Sequence, residues 1–248
     1  MVSECKKQAV VKSTFDKFEM TELPEPLPVR IKFRKVGNLQ YISHLDLQRV
    51  MGRILVRSGV PVWFTQGFNP HPKIVFAVPL SIGAQSECEY VDIKIDRRIS
   101  HREIAERLNA QVTDEMKILS VYKPDSKFTE IAYVKYIITL HCDGIDAETA
   151  KKVEKLFSES PLTMIKKSKS GEKEVDIIQF IKDVNARVES DNSLTLEVVI
   201  RGGEGSMNPE MLVNAMKDKL GLLSEYPQKD SYSILRTNLY FENMKEFE

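Results

Sequence analysis

The chain has 248 residues, 42% of them hydrophobic and 29% charged. That is the balance of a globular protein, and it excludes a disordered, collagen-like or disulfide-stapled chain. Cations and anions cancel at 36 each, yet residues 28–80 carry eight cationic side chains against the single acid Asp46, a local excess that points to a polyanion partner.

No run approaches the roughly 18 apolar residues of a membrane span, and residues 1–20 lack the apolar core of a secretion signal. A cytoplasmic protein with no membrane partner is therefore expected. Cys5, Cys88 and Cys142 lie far apart without a CxxC spacing. A cysteine-bound zinc or iron–sulfur cluster is not expected, nor is any other cofactor.

Residues 1–27 read as a flexible tail, with Pro24, Pro26 and Pro28 favouring an extended linker and the folded body starting near Pro28. Residues 29–36 alternate Val29, Ile31 and Phe33 with Arg30, Lys32 and Arg34, a half-buried strand with one basic face. Ser43 caps a helix that runs to Ser58 and stops at Gly59. Short strands follow at 61–64, 73–80 and 90–95, separated by the loop 65–72. Ser100 and Glu103 open a second helix, and residues 116–122 return as a strand.

Residues 123–130 read as a linker, and the same order then recurs. A strand spans 131–141, and Asp146 caps a helix to about Phe157. Residues 161–167 and 173–177 flank a basic turn at Ser170-Gly171, and 177–186 read as a short helix running into a strand. Another strand covers 193–200. Asn208-Pro209 open a helix to about Leu220, and 231–241 form the last strand. The pattern predicts an α+β fold of two ferredoxin-like halves, βαββαβ in type, with antiparallel sheets and helices on one face. The halves would be 28–125 and 126–248; the competing architecture is one continuous sheet.

On the first helix, Leu47, Val50, Met51, Ile54 and Leu55 share a face that must be core. Arg49, Arg53 and Arg57 stack on another face at i, i+4 and i+8, where they repel unless an anion or acid sits over them. RNA phosphates suit such a row, because arginine binds them bidentately; a solvated face paired with acids elsewhere is the other reading. Gly52 inside the helix implies a close neighbour. His44, at the helix start, should be neutral beside the positive dipole end. It is either a base or ligand, or a partly buried hydrogen-bonding histidine.

The loop Thr65-Gln66-Gly67-Phe68-Asn69-Pro70-His71-Pro72-Lys73 is stiffened by its prolines. Period-two geometry would project Asn69, His71 and Lys73 to one side. Trp63, Phe64 and Phe68 flank it, as bases to stack on or, for at least two of them, as core. The glycine-rich stretch 201–208 and the lysines at 166, 167, 169 and 173 are weaker anion signals. His44, Asp46 and His71 have no spacing that demands a metal, and none is expected.

His44-Leu45-Asp46, the run Gln66-Gly67-Phe68-Asn69-Pro70-His71-Pro72-Lys73, then Gly83, Ser86 and Glu89-Tyr90 together resemble the radical SAM-linked protein family. This is an uncharacterised domain family encoded beside, or fused to, a radical SAM protein. The likeness covers about residues 29–240 and is densest over 41–95. It implies pairing with a radical SAM protein, not radical SAM chemistry in this chain, which lacks the cluster cysteines.

Three functions follow. The leading one is an RNA-binding accessory that presents substrate to the partner enzyme. Arg49, Arg53, Arg57 and Lys73 would contact phosphates, and Asp46, Gln66, Gly67, Phe68, Asn69 and His71 would shape the substrate site. The second is a metal-independent endoribonuclease with His44 and His71 as base and acid, since tandem ferredoxin-like halves also resemble CRISPR repeat-processing endoribonucleases. The third is a protein-docking module.

Overall fold

The computed structural model describes residues 22–159, 161–168, 171–190, 192–203, 206–223 and 229–248. The tail expected over residues 1–27 falls mostly outside them, as does Cys5. Where the description begins, the chain is already paired: strand β1 (Glu22–Lys35) starts ahead of Pro28, with Glu22 opposite Arg97. Prolines are tolerated there because the register slips between Glu22 and Leu27, leaving few ladder donors to lose.

Helix α1 (His44–Arg57) leads to β2 (Val75–Phe76) and β3 (Ala84–Arg97), and α2 (His101–Asn109) leads to β4 (Ile118–Tyr122). The second half repeats this with β5 (Tyr133–His141), α3 (Ala147–Ser158), β8 (Ile181–Ser190), β9 (Ser193–Arg201), α4 (Glu210–Leu220) and β10 (Ser231–Tyr240). A hairpin, β6 (Thr163–Ser168) with β7 (Gly171–Asp176), is inserted before β8.

The sheet order β4-β1-β3-β10-β5-β9-β8, with β2 on β3, places the same ferredoxin-like order in each half. Pairing is antiparallel except where the halves join. There β10 runs parallel to β3, through Ile234–Ala84, Leu235–Gln85 and Arg236–Ser86. Both expected architectures therefore hold at once: two ferredoxin-like halves in one continuous sheet.

Several expected strands shrink. Residues 61–64 make isolated bridges, Val62 to Ile95 and Phe64 to Pro72, and 73–80 pairs only at Val75–Phe76. The reason is the edge of β3: β10 occupies its start, leaving only the later part for the 61–77 segment. Residues 177–186 form a 3-10 turn, Ile178–Phe180, running into β8, as expected.

Two cores lie under the helices. In the first half, Val29, Ile31 and Phe33 of β1 and Val91, Ile93 and Ile95 of β3 meet Leu47, Met51 and Leu55 of α1. In the second, Tyr136, Ile138 and Leu140 of β5 meet Val153 and Phe157 of α3 and Leu212 and Met216 of α4. The basic strand face expected from Arg30, Lys32 and Arg34 is not a free one. Arg30 is fully buried, bonded to Asp92 at 2.8 and 2.9 Å and stacked between Phe128 and Phe247 at 4.4 and 4.9 Å. Lys32 reaches Glu246 and the Tyr90 ring.

The segment after β10 thus covers the helix-free face of the first half, pinned where the Tyr90 hydroxyl donates to the Phe247 carbonyl at 2.9 Å. Phe247 is fully buried. Phe247→Ala should cost about 3–5 kcal/mol, measured by urea unfolding; an unchanged midpoint would contradict the docking of this segment.

Candidate nucleic-acid interface

Ser43 caps α1 as expected. Its hydroxyl accepts from the Asp46 amide at 3.1 Å and donates to the Asp46 carboxylate at 2.7 Å. Leu47, Met51, Ile54 and Leu55 face the core, which turns Arg49, Arg53 and Arg57 outward, all exposed. The acid that relieves the row at one end is local: Asp46 pairs with Arg49 at 2.9 Å. The Ser43 hydroxyl and then Arg49 hold the Asp46 carboxyl below its ordinary pKa. Gly52 lies against the Ile74 side chain, where an added methyl would make ordinary contact at 3.7 Å. Packing, not a ligand, covers that point. It also sets the loop's base, with Lys73, against the helix that carries Arg49 and Arg53.

The loop is closed by Thr65. Its amide donates to the His71 carbonyl at 2.9 Å, and its hydroxyl accepts from the His71 amide at 3.2 Å. Phe64 bridges Pro72. The tip, Gln66 to Pro70, is exposed, and Phe68 is wholly so. Gly67 has φ +140° with nothing near its Cβ direction, a backbone setting that favours glycine.

One expectation needs correction. His71 does not project alongside Asn69 and Lys73: its Nδ1 sits 3.0 Å from the Asn69 carbonyl. A carbonyl only accepts, so Nδ1 donates to it, and the Thr65 hydroxyl lies 3.2 Å from the same nitrogen. The aromatics also differ from the core reading. Phe64 and Phe68 are exposed, and Trp63 is half-buried with Lys94 over its ring at 5.7 Å.

His44 is half-buried under the loop's exit strand, edge-on to Phe76 at 5.3 Å. Its Nε2 lies 3.0 Å from the Gln48 amide nitrogen, which can only donate, so His44 is an Nδ1–H tautomer. Burial lowers its pKa, against an opposing pull from Glu89. That direction agrees with the neutral state expected there, and burial is its leading cause. His44 and His71 thus bond to different partners. Among the described residues no three His, Cys, Asp or Glu side chains are grouped to hold a metal, and no helix is long and apolar enough to cross a membrane.

The charged cluster beneath this surface escaped the sequence reading. Arg236 and Glu89 are 1% and 4% exposed and pair at 2.9 Å. Arg236 also donates to the Val78 and Pro79 carbonyls at 2.8 and 3.0 Å. Burial would lower its pKa, but Tyr136 and Glu89 outweigh that and raise it. Lys35, also 1% exposed, reaches the Ala84 carbonyl at 3.4 Å. Burial lowers its pKa, Glu89 opposes this and Arg236 adds to it. Burial also pushes the Cys88 thiol up to about 12, so it is unreactive. The available signal was Arg236 itself, the one charged residue in the strand 231–240.

Of the weaker signals, Glu204, Gly205, Lys169 and Ser170 lie outside the described residues, as do the side chains of Lys166 and Lys167. The Asn208 side chain accepts from the Glu210 amide at 3.2 Å at the start of α4, as expected.

Two outcomes follow. Glu89→Gln would leave Arg236 and Lys35 buried without a counter-charge and should cost roughly 3–5 kcal/mol, whereas Lys35→Met leaves the Arg236–Glu89 pair balanced and should be neutral or stabilising. Equal losses in urea unfolding would contradict this. His44 has a folded pKa below its unfolded one, so the unfolded chain takes the proton first. Its contribution is complete above about pH 6.5 and declines as pH falls from there toward the folded pKa. His44→Gln should flatten the loss of stability in that window; an unchanged slope would contradict it.

A comparison with curated proteins gives no match. Among solved structures, a chain of a Cbf5-Nop10-Gar1 complex is similar at 10% identity and a TM-score of 0.44, over 89% of this chain and 55% of that one. A chain of an H/ACA RNP bound to a substrate RNA containing 2'-deoxyuridine is similar at 10% identity and a TM-score of 0.44, over 88% of this chain and 49% of that one. The chain thus spans about half the length of each, and at such scores the likeness carries no functional weight. The family model described as "Uncharacterized protein conserved in bacteria (DUF2344)" matches residues 29–209; the chain belongs to that family.

Proposed function

We propose that the protein is an RNA-binding accessory that grips phosphates along α1 and presents the bound segment to a partner radical SAM enzyme. The observation that carries this is the exposed row Arg49, Arg53 and Arg57 beside a pinned loop whose tip shows a bare Phe68. A cationic track next to an exposed ring is what a single strand needs, with phosphates on arginine and a base on the aromatic face. The Asp46–Arg49 pair lies at the surface, more than half exposed on each side, so it yields readily to a phosphate. Asn69 and Gln66 at the tip offer amides to a base edge.

The radical SAM partnership rests on the likeness of the His44-Leu45-Asp46 and Gln66–Lys73 motifs to that family. Cleavage by His44 and His71 would need two rings that act together, and no contact between them supports it.

Binding of single-stranded RNA, followed by fluorescence anisotropy, should weaken steeply with salt. With four cationic contacts the log–log slope should be about −3. Arg49/Arg53/Arg57→Glu should abolish binding with little change in melting temperature. Salt-insensitive binding, or a triple variant that binds as well as the parent, would sink the proposal.

A further inference from the structure

The arginine row does not stop at the end of α1. Arg57 also lines a groove of about 1340 Å³ between the end of α1, the length of α2 and the first part of β1. The volume exceeds the roughly 300–1,000 Å³ of a small-molecule pocket. Exposed Leu27 and half-buried Ile99 give it an apolar floor, laid over the buried Val29 and Ile95. Glu103 and Glu106 are countered locally, by Arg107 and Arg102. That leaves the rim cationic through Arg57, Arg98 and Lys123, all exposed.

An apolar floor under a cationic rim matches a ligand that is apolar in its planes and anionic along its spine. Unpaired nucleotides have that chemistry; a duplex hides its base faces. Successive arginines of the row rise about 6 Å along the helix, so Arg53 and Arg57 lead a strand from the outer face of α1 into the groove. We infer that this groove is a single-strand subsite, holding unpaired nucleotides of the RNA whose phosphates lie on α1. The inference rests on the RNA-binding reading of a single strand and adds to it a second place, away from the loop tip, where unpaired bases are held.

The test compares a short fluorescein-labelled oligouridine with a blunt RNA duplex of equal length. The full chain should bind the oligouridine about tenfold more tightly, since one or more bases gain apolar contact worth over 1 kcal/mol. Leu27→Glu and Arg98→Glu, both at exposed positions, should remove most of that difference and leave duplex binding within about twofold. Arg53→Glu should weaken both RNAs.

Equal affinities for the two RNAs, with silent groove variants and a damaging Arg53→Glu, would overturn the subsite and leave the RNA-binding reading standing. No binding of either RNA would overturn both. Displacement of oligouridine by polyglutamate as readily as by unlabelled oligouridine would overturn the subsite in favour of an acidic protein segment. Unchanged melting curves show that the variants fold.

Discussion

The ion pair between Arg236 and Glu89 is the interaction on which the arrangement depends. It joins the last strand to the centre of the first half, at the place where the two antiparallel sheets meet through a short parallel pairing. The same guanidinium holds the Val78 and Pro79 carbonyls. It therefore fixes the path from the 65–73 loop back to β3. A buried pair of this kind contributes little net stability against an apolar alternative. What it acts on here is register, since two sheet edges can slide, whereas one guanidinium held at once by the Glu89 carboxylate and the Val78 and Pro79 carbonyls resists sliding.

From that seam the rest is positioned in steps. The strap over 76–84 packs under the start of α1, where His44 meets Phe76. Ile74 then lies on Gly52 and brings the loop to the arginine row. On the other face, Arg30 with Asp92, held between Phe128 and Phe247, fixes the segment after β10. Two buried arginines thus tie the halves together from opposite sides of one sheet. Arg53 and Arg57 on α1 and Arg98 and Lys123 along the groove stay exposed, where an anion can reach them.

Much of this was legible in the chain. The caps Ser43, Ser100 and Asp146 stand where they were expected and accept from the third helical residue. Strand alternation and the repeated βαββαβ order gave both halves. The failures share a cause. Arg30 read as solvent-facing because alternation treats a cation as outward, while Asp92, whose charge offsets it, sits on a strand 62 positions away. The parallel β3–β10 pairing leaves no local mark, so the shrinking of β2 could not be foreseen. His71 folds back through a threonine and a carbonyl, a contact that depends on loop closure and not on residue type.

The protein is an α+β chain that belongs to an uncharacterised family conserved in bacteria, and the proposed role is to hold RNA on a basic helix beside an aromatic loop tip. Photocrosslinking tests that placement most directly. RNA crosslinked to the protein at low salt would be digested, and the modified peptides identified by mass spectrometry. The account requires the crosslinks to fall on α1 and on the 65–73 loop, with Phe68 among the modified residues. Crosslinks confined to the β6–β7 hairpin, or none at all with RNA in excess, would contradict it.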